Sequence, residues 1–189
     1  MSHKDFIFNV KTARRLPDPV WREKFNSESH IFNIRCNLMP EGIGNEPNAR
    51  STNTKKSVYR KVKESLLAEN TPNSIDNGMF HLKNKGIIIV ANSVTQKGDN
   101  SYIVNMEENN HGILDGGHTY ELITNNKEQI SDDQYVRVEV RTGMSSAWVS
   151  EMAEGLNTTV QVSEESLFDS RDTYKCEKQY DYNASFTEK

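Results

Sequence analysis

The sequence predicts an α/β (α+β) fold: one mixed sheet of about five strands with flanking helices. Three observations support this class. Residues 87–90 form an unbroken branched apolar run, typical of a strand covered on both faces. Residues 135–141 alternate apolar and charged side chains, as in a strand with one face toward water. Residues 113–123 pass from an apolar run through two glycines to helical spacing, which predicts a strand, a tight turn and a helix.

The remaining elements follow from periodicity and turn residues. Apolar alternation and a hairpin turn at residues 97–100 predict two more strands, over residues 31–39 and 101–106, and the strand with the apolar run is predicted to span residues 79–91. Amphipathic spacing and capping residues predict helices over residues 53–68, 145–156 and 164–168. Residues 40–51, rich in glycine, proline and asparagine, are predicted to form a loop.

The domain organisation is predicted from length and from shifts in composition. The 189 residues suffice for one domain, and 34 % hydrophobic content with a mean hydropathy of −0.78 indicates a small core with generous loops. Residues 1–30 lack a clear period and are predicted to be an N-terminal arm. Residues 31–168 are predicted to be the core domain, and residues 169–189 a polar tail, cut from a longer chain or covered by a partner.

Several classes of protein are disfavoured. No segment approaches the ~20 apolar residues of a membrane helix, and the N-terminus lacks a secretory signal, so we expect a cytoplasmic protein without membrane contact. Cys36 and Cys176 lie far apart, and the five histidines show no metal-ligand spacing, so a zinc site is not expected. A net charge of −4 argues against a general nucleic-acid coat protein.

The glycine turn is a candidate anion site. Gly116 and Gly117 let the backbone approach a ligand, and the unpaired N–H groups of the following helical turn attract phosphate. Asp115, His118 and Thr119 add a carboxylate, an imidazole and a hydroxyl, whereas the carboxylate of Glu121 opposes an anion there. The alternative is a purely structural turn, since strand, Gly-Gly and helix recur in many α/β proteins without a ligand.

A basic run is the second candidate surface. Between residues 55 and 63 five of nine residues are cationic: Lys55, Lys56, Arg60, Lys61 and Lys63. These side chains could contact DNA, RNA or an acidic protein. The alternative is a solvated helix face, which is what most charge runs are.

Three separated motifs occur in one order: residues 47–50 (Pro-Asn-Ala-Arg), residues 80–90 (Phe-His-Leu-Lys-Asn-Lys-Gly followed by the apolar run) and residues 112–119 (Gly-Ile-Leu-Asp-Gly-Gly-His-Thr). In this order they resemble the AIPR family (abortive infection phage resistance). Residues 136–140 and 156–160 also look like that family, and the resemblance covers roughly residues 31–168. It implies a bacterial antiphage protein.

A more distant similarity connects the chain to ParB/sulfiredoxin-like domains and to DGQHR-box proteins, in which such a box holds phosphates. Asp115, Gly116 and His118 fall on the box, and Asn48 and Arg50 on the first motif. Two departures weaken the match: Thr119 replaces the box arginine, whose bidentate fork a hydroxyl cannot supply, and Ala49 separates Asn48 from Arg50.

The resemblance implies that a phosphate-bearing ligand, a nucleotide or a nucleic-acid backbone, is bound by residues of all three motifs: Asn48, Arg50, Lys83, Asn84, Gly116, Gly117 and Thr119. Either Arg50, Lys83 or Lys85 supplies the positive charge of the missing box arginine, or the ancestral phosphate site has decayed. Asp115 would place Mg²⁺, and His118 would act as an acid or base if phosphoester hydrolysis occurs.

Two further hypotheses remain open. In one, the chain is a non-enzymatic regulatory module that binds DNA, RNA or a protein partner of a defence system through the basic helix. In the other, it is a decoy fold that keeps only the scaffold.

Overall fold

The computed structural model describes residues 2–45, 57–68 and 78–158. The chain divides into two compact units, Met1–Ala153 and Glu154–Lys189. The first unit holds all of the strands described below. The described part of the second unit is residues 154–158, in the last helix.

Eight strands form two sheets in the described residues. They are β1 (His3–Asn9), β2 (Thr12–Pro17), β3 (Glu28–Arg35), β4 (Ile87–Val90), β5 (Ser93–Gln96), β6 (Ser101–Glu107), β7 (Gly112–Asp115) and β8 (Tyr135–Thr142). The larger sheet has the order β2-β3-β8-β4-β7, and the smaller has the order β1-β6-β5. The predicted α+β class and the mixed sheet of five strands are therefore confirmed.

The larger sheet is mixed because of one parallel pair. Strand β4 runs parallel to β8, while the pairs β2–β3, β3–β8 and β4–β7 are antiparallel. Strand β8 is the middle strand, and β4 lies beside it with a neighbour on each side. Ile87, Ile89 and Val90 are buried and Ile88 is half-buried, which agrees with a strand covered on both faces.

Five α-helices connect or cover the strands in the described residues. They are α1 (Arg22–Phe25), α2 (Ser57–Leu67), α3 (Phe80–Lys83), α4 (Gly117–Asn125) and α5 (Ser146–Thr158). Helix α4 buries Leu122 and Ile123 in the core, and α2 contributes Leu66 to it. No helix among the described residues is long and apolar enough to cross a membrane.

Aromatic side chains join the two sheets. The ring of Phe32 in β3 lies 6.1 Å from that of Phe8 in β1 and 4.9 Å from that of Tyr102 in β6. Phe8 and Phe32 are fully buried. One continuous core therefore lies between the sheets, since every second residue of these strands points into it.

The region predicted as an N-terminal arm contains secondary structure that the periodicity analysis did not detect. Strand β1 lies at an edge of the smaller sheet, and Phe6 and Phe8 alternate inward from it. Strand β2 lies at an edge of the larger sheet with almost every side chain exposed. An edge strand with two polar faces carries no hydrophobic period, so only its pairing with β3 reveals it.

Two predicted strand segments have different bounds in the structure. The segment over residues 79–91 is a single helical turn, α3, followed by β4. The first predicted strand, over residues 31–39, starts three residues earlier as β3 and gives way to a 3₁₀ turn at Cys36–Leu38. The hairpin at residues 97–100 and the strand over 135–141 are confirmed. The predicted helix over 164–168 and the predicted tail over 169–189 lie outside the described residues.

Candidate functional site

The glycine motif folds as a strand, a turn and a helix, as predicted. Strand β7 ends at Asp115, Gly116 has φ +82°, and α4 begins at Gly117. The backbone N–H of Gly116 donates to Oδ1 of Asp115 at 2.8 Å. One carboxylate oxygen of Asp115 therefore stabilises the turn itself, because it accepts a hydrogen bond from the residue that makes the bend.

Gly116 is needed because another part of the protein backbone approaches it. A Cβ at Gly116 would lie 2.9 Å from the Cα of Ile87 and still closer to the carbonyl oxygen of Gly86. Gly86 also has a positive φ, of +93°, and a Cβ there would overlap the carbonyl oxygen of Arg137. The end of β7, the start of β4 and the middle of β8 are thus packed backbone against backbone, which leaves no room for side chains.

Asn84 connects two of the sequence motifs. Its Nδ2 donates to Oγ1 of Thr119 at 3.1 Å, and its Oδ1 accepts the backbone N–H of Gly86 at 2.8 Å. Thr119 is only 8 % exposed, so its hydroxyl faces Asn84 and not the solvent. These contacts assign Asn84 and Thr119 a structural part in holding the α3–β4 loop against the first turn of α4.

The loop over residues 40–45 also lies against this turn. The Tyr120 hydroxyl donates to the Pro40 carbonyl at 3.1 Å and accepts the Ile43 N–H at 3.0 Å, and burial raises the pKa of this phenol. Oδ1 of Asn45 then lies 3.3 Å from the point that a Cβ of Gly117 would occupy. Helix α4 therefore holds residues 40–45 beside its own N-terminus.

Three side chains with basic nitrogens near this turn are exposed: Lys83 at the end of α3, Lys85 in the α3–β4 loop, and His118 in the first turn of α4. Among the described residues no side chain caps the N-terminus of α4, and the first turn of this helix contains no acidic residue. Glu121, which was expected to oppose an anion in this turn, lies beyond it.

The described residues do not provide a metal centre around Asp115. Within residues 2–45, 57–68 and 78–158 there is no group of three His, Cys, Asp or Glu side chains that could hold a metal ion. Asp115 is half-buried and shares one oxygen with the Gly116 N–H. The Mg²⁺ expected at Asp115 therefore stays a prediction.

The basic run is only partly described. Arg60 and Lys61 are exposed on α2, Lys63 is half-buried, and Arg60 Nε lies 3.6 Å from Oε1 of Glu64. Helix α2 packs against α4. Lys55, Lys56, Asn48 and Arg50 lie outside the described residues, so their predicted contacts stay predictions.

Sequence reasoning missed three residues that shape this site. Gly86 was noted only as part of a motif, Asn45 as part of a loop, and Tyr120 as a helical apolar position. The segment Asn84-Lys85-Gly86 before a buried strand was the available signal, because Asn and Gly together favour a turn with positive φ. Nothing in the sequence indicated that Tyr120 would anchor residues 40–45.

The motifs that meet at this turn lie within a region shared with a known family. A family model described as AIPR protein matches residues 46–185, well over half of the 189 residues. The chain belongs to the AIPR family. This membership suggests a role in abortive-infection defence against phage. Neither a curated protein nor a solved structure matches this AIPR chain significantly, so the more distant relation to ParB/sulfiredoxin-like domains stays a prediction.

Proposed function

We propose that this AIPR-family protein acts in antiphage defence by binding a phosphate-bearing ligand, a nucleotide or a nucleic-acid backbone, at the N-terminal turn of α4. The observation that carries the proposal is the contact between the second and third motifs. The hydrogen bond from Asn84 to Thr119 and the backbone contact of Gly86 with Gly116 hold the loop with Lys83 and Lys85 against that turn.

The chemistry of this arrangement favours anions. The first amides of a helix lack intrahelical acceptors, and the helix dipole adds partial positive charge at the same end. Gly117 carries no side chain that would keep a phosphate from these amides. Lys83, Lys85 and His118 would add nitrogen donors, and lysines act in many phosphate sites as point charges without a fixed geometry.

Within the proposal the motif residues divide into two groups. Asp115, Asn84 and Thr119 hold the turn through hydrogen bonds within it and to the neighbouring loop. The ligand would contact the first amides of α4 and the exposed side chains of Lys83, Lys85 and His118. The proposal is therefore one of binding and includes no hydrolytic step.

A specific observation favours the nucleic-acid backbone as the ligand. Helix α2 packs against α4, and Arg60 and Lys61 are exposed on it. A polymer with regularly spaced phosphates could contact both helices, whereas a single nucleotide would occupy the turn alone. Asn48 and Arg50, which follow Asn45 closely in sequence, were predicted to contact the same ligand and lie outside the described residues.

The test compares two ligand classes on one set of variants. Binding of fluorescent DNA and RNA oligonucleotides is measured by anisotropy over a salt series, and nucleoside triphosphates are tested by thermal shift. Lys83→Gln combined with Lys85→Gln should weaken oligonucleotide binding and lower the salt slope for duplex DNA by about 1.8, because two phosphate contacts are lost. Lys97→Gln, at an exposed lysine of the β5–β6 turn, is the matched control.

The outcomes separate the hypotheses. Loss of oligonucleotide binding in the double variant supports the nucleic-acid backbone, and loss of a triphosphate-dependent thermal shift supports a nucleotide. If the parent binds neither class, or if the double variant binds and protects against phage as the parent does, the proposal is wrong. The glycine turn is then only structural.

A further inference from the structure

A cleft on the first unit lies apart from the α4 turn. Its volume is about 310 Å³, and its lining consists of Asn9, Val10, Lys11, Arg35, Leu38, Asn100 and Ser101. These residues come from the β1–β2 link, the end of β3 with its 3₁₀ turn, and the start of β6. None of them belongs to the glycine turn or to the loops that hold it.

The charged residues in this lining are both cationic. Lys11 and Arg35 are exposed, and among the described residues no acidic side chain lines the cleft, although the protein carries a net charge of −4. Behind Arg35, Nη1 lies 3.9 Å from Oδ2 of Asp132, and Nε donates to the Tyr135 hydroxyl at 3.4 Å. Both contacts are long, so the five N–H donors of the guanidinium are far from fully used.

The cleft also has an apolar side. Val10 is 6 % exposed and forms part of its floor, and Leu38 is 47 % exposed. Leu38 is one of the large apolar side chains that the fold leaves in water. An apolar group that covered it would gain about 25 cal/mol for each Å² removed from water.

The backbone around the cleft is tied to both sheets. The N–H of Val10 donates to the Asn100 carbonyl at 2.8 Å, and the N–H of Lys11 donates to the Asn33 carbonyl at 2.8 Å. The β1–β2 link is thus attached to β3 of the larger sheet and to the turn before β6 of the smaller one. Such a site is formed before any ligand arrives, as is usual for small-molecule sites.

We propose that this cleft binds a small organic anion, with its carboxylate or phosphate group between Lys11 and Arg35 and its apolar part on Val10 and Leu38. The polar amides of Asn9 and Asn100 lie at the same site and can bond to further oxygens of the ligand. Binding here does not depend on the α4 turn, because the two sites share no residue.

The test uses phenyl phosphate and benzoate as probes, with inorganic phosphate and neutral benzyl alcohol for comparison. Methyl NMR signals of Val10 and Leu38 are followed during titration of the full chain. Both organic anions should shift these signals saturably, inorganic phosphate should bind more weakly, and benzyl alcohol should not saturate. The stronger of the two organic anions identifies the phosphate or the carboxylate as the preferred group.

Lys11→Gln and Arg35→Gln should each weaken the binding of the preferred anion by about tenfold or more, as expected for one lost charge-assisted hydrogen bond. Arg14→Gln, at an exposed arginine on β2 outside the cleft, is the matched control and should bind as the parent does. The proposal is overturned if neither anion shifts the two methyl signals saturably, if benzyl alcohol binds as well as the anions, or if the cleft variants bind like the control.

Discussion

Asn84 is hydrogen-bonded to Thr119 across two sequence motifs, with Nδ2 of Asn84 donating to Oγ1 of Thr119 at 3.1 Å. The amide oxygen of Asn84, Oδ1, accepts a hydrogen bond from the Gly86 N–H at 2.8 Å. One amide therefore holds the loop before β4 and the first turn of α4 together. This side chain therefore brings two of the AIPR motifs, which are separate in the sequence, into contact in the fold.

Replacing either partner should destabilise the fold by a measurable amount. We expect Thr119→Val to lower the free energy of unfolding by about 1 kcal/mol and Asn84→Ala by about 1–2 kcal/mol, since the second change also leaves the Gly86 N–H without its acceptor. Urea unfolding of both single variants and of the double variant gives the coupling energy. Thr95→Val, at an exposed threonine on β5, is the control. Strictly additive effects would show that the two side chains do not interact.

The two adjacent glycines should respond very differently to the same substitution. Gly116→Ala places a methyl group 2.9 Å from the Cα of Ile87 at a φ of +82°, and should cost at least about 2 kcal/mol. Gly117→Ala meets only the side chain of Asn45, at 3.3 Å, which can move aside. Its free energy of unfolding should stay within about 0.5 kcal/mol of the parent. Equal effects of the two substitutions in urea unfolding would contradict this packing.

Glu28 should make stability depend on pH in the acid range. Burial raises the pKa of this carboxyl, but hydrogen bonds with Arg15 and His30 outweigh burial, so the pKa lies below its ordinary value of 4.5. Arg22 adds a contact of 2.5 Å to Oε2. A lowered pKa in the folded state means that the stabilisation is present above pH 4.5 and is lost as the pH falls below it.

The variant Glu28→Gln tests this dependence. It should lose about 1.5–3 kcal/mol at pH 7, where the parent carries the charged acceptor. The difference from the parent should shrink as the pH falls below 4.5, because the parent is then protonated as well. Glu108→Gln, at an exposed glutamate, should show neither effect in the same unfolding series. A constant difference between Glu28→Gln and the parent at all pH values would rule out this linkage.

Cys36 should be unreactive while the protein is folded. It is fully buried, and burial raises the pKa of its thiol to about 12. Because the thiolate is the reactive form, a Cys176→Ser variant should react with a disulfide reagent at pH 8 only as fast as it opens. Adding urea should accelerate the reaction. Fast labelling in native buffer would place this thiol at the surface.

The stability of the protein should also fall as the pH rises from about 9 toward 12, because the Cys36 thiol ionises readily only in the unfolded chain.

Several elements could be predicted from the sequence because their signals are local. Four branched apolar residues in a row predict β4, the alternation of valine with charged residues predicts β8, and the glycine pair predicts the turn into α4. These features are local, because side-chain period, turn conformation and capping all depend on residues that are close together in the chain. The edge strand β2 has no such signal.

The candidate site could be predicted only in part. The sequence singled out Asp115, Gly116 and Thr119 as ligand contacts, and this stays a prediction. The structure adds that their polar atoms and backbone contact Asn84, Gly86 and each other. Side-chain type shows which bonds a residue can make and not which partner lies within reach. That partner is decided by the parallel pairing of β4 with β8 and by the place of β7 beside β4.

The fold class, the inner strands, the glycine turn and the AIPR motifs follow from residue type and local spacing. The division of the strands into two sheets, the packing of Gly86 against Gly116 and the cleft lined by Lys11 and Arg35 arise only when the chain folds. These features join residues far apart in the chain. Their contacts follow from how the sheets bury a shared core, which no local pattern encodes.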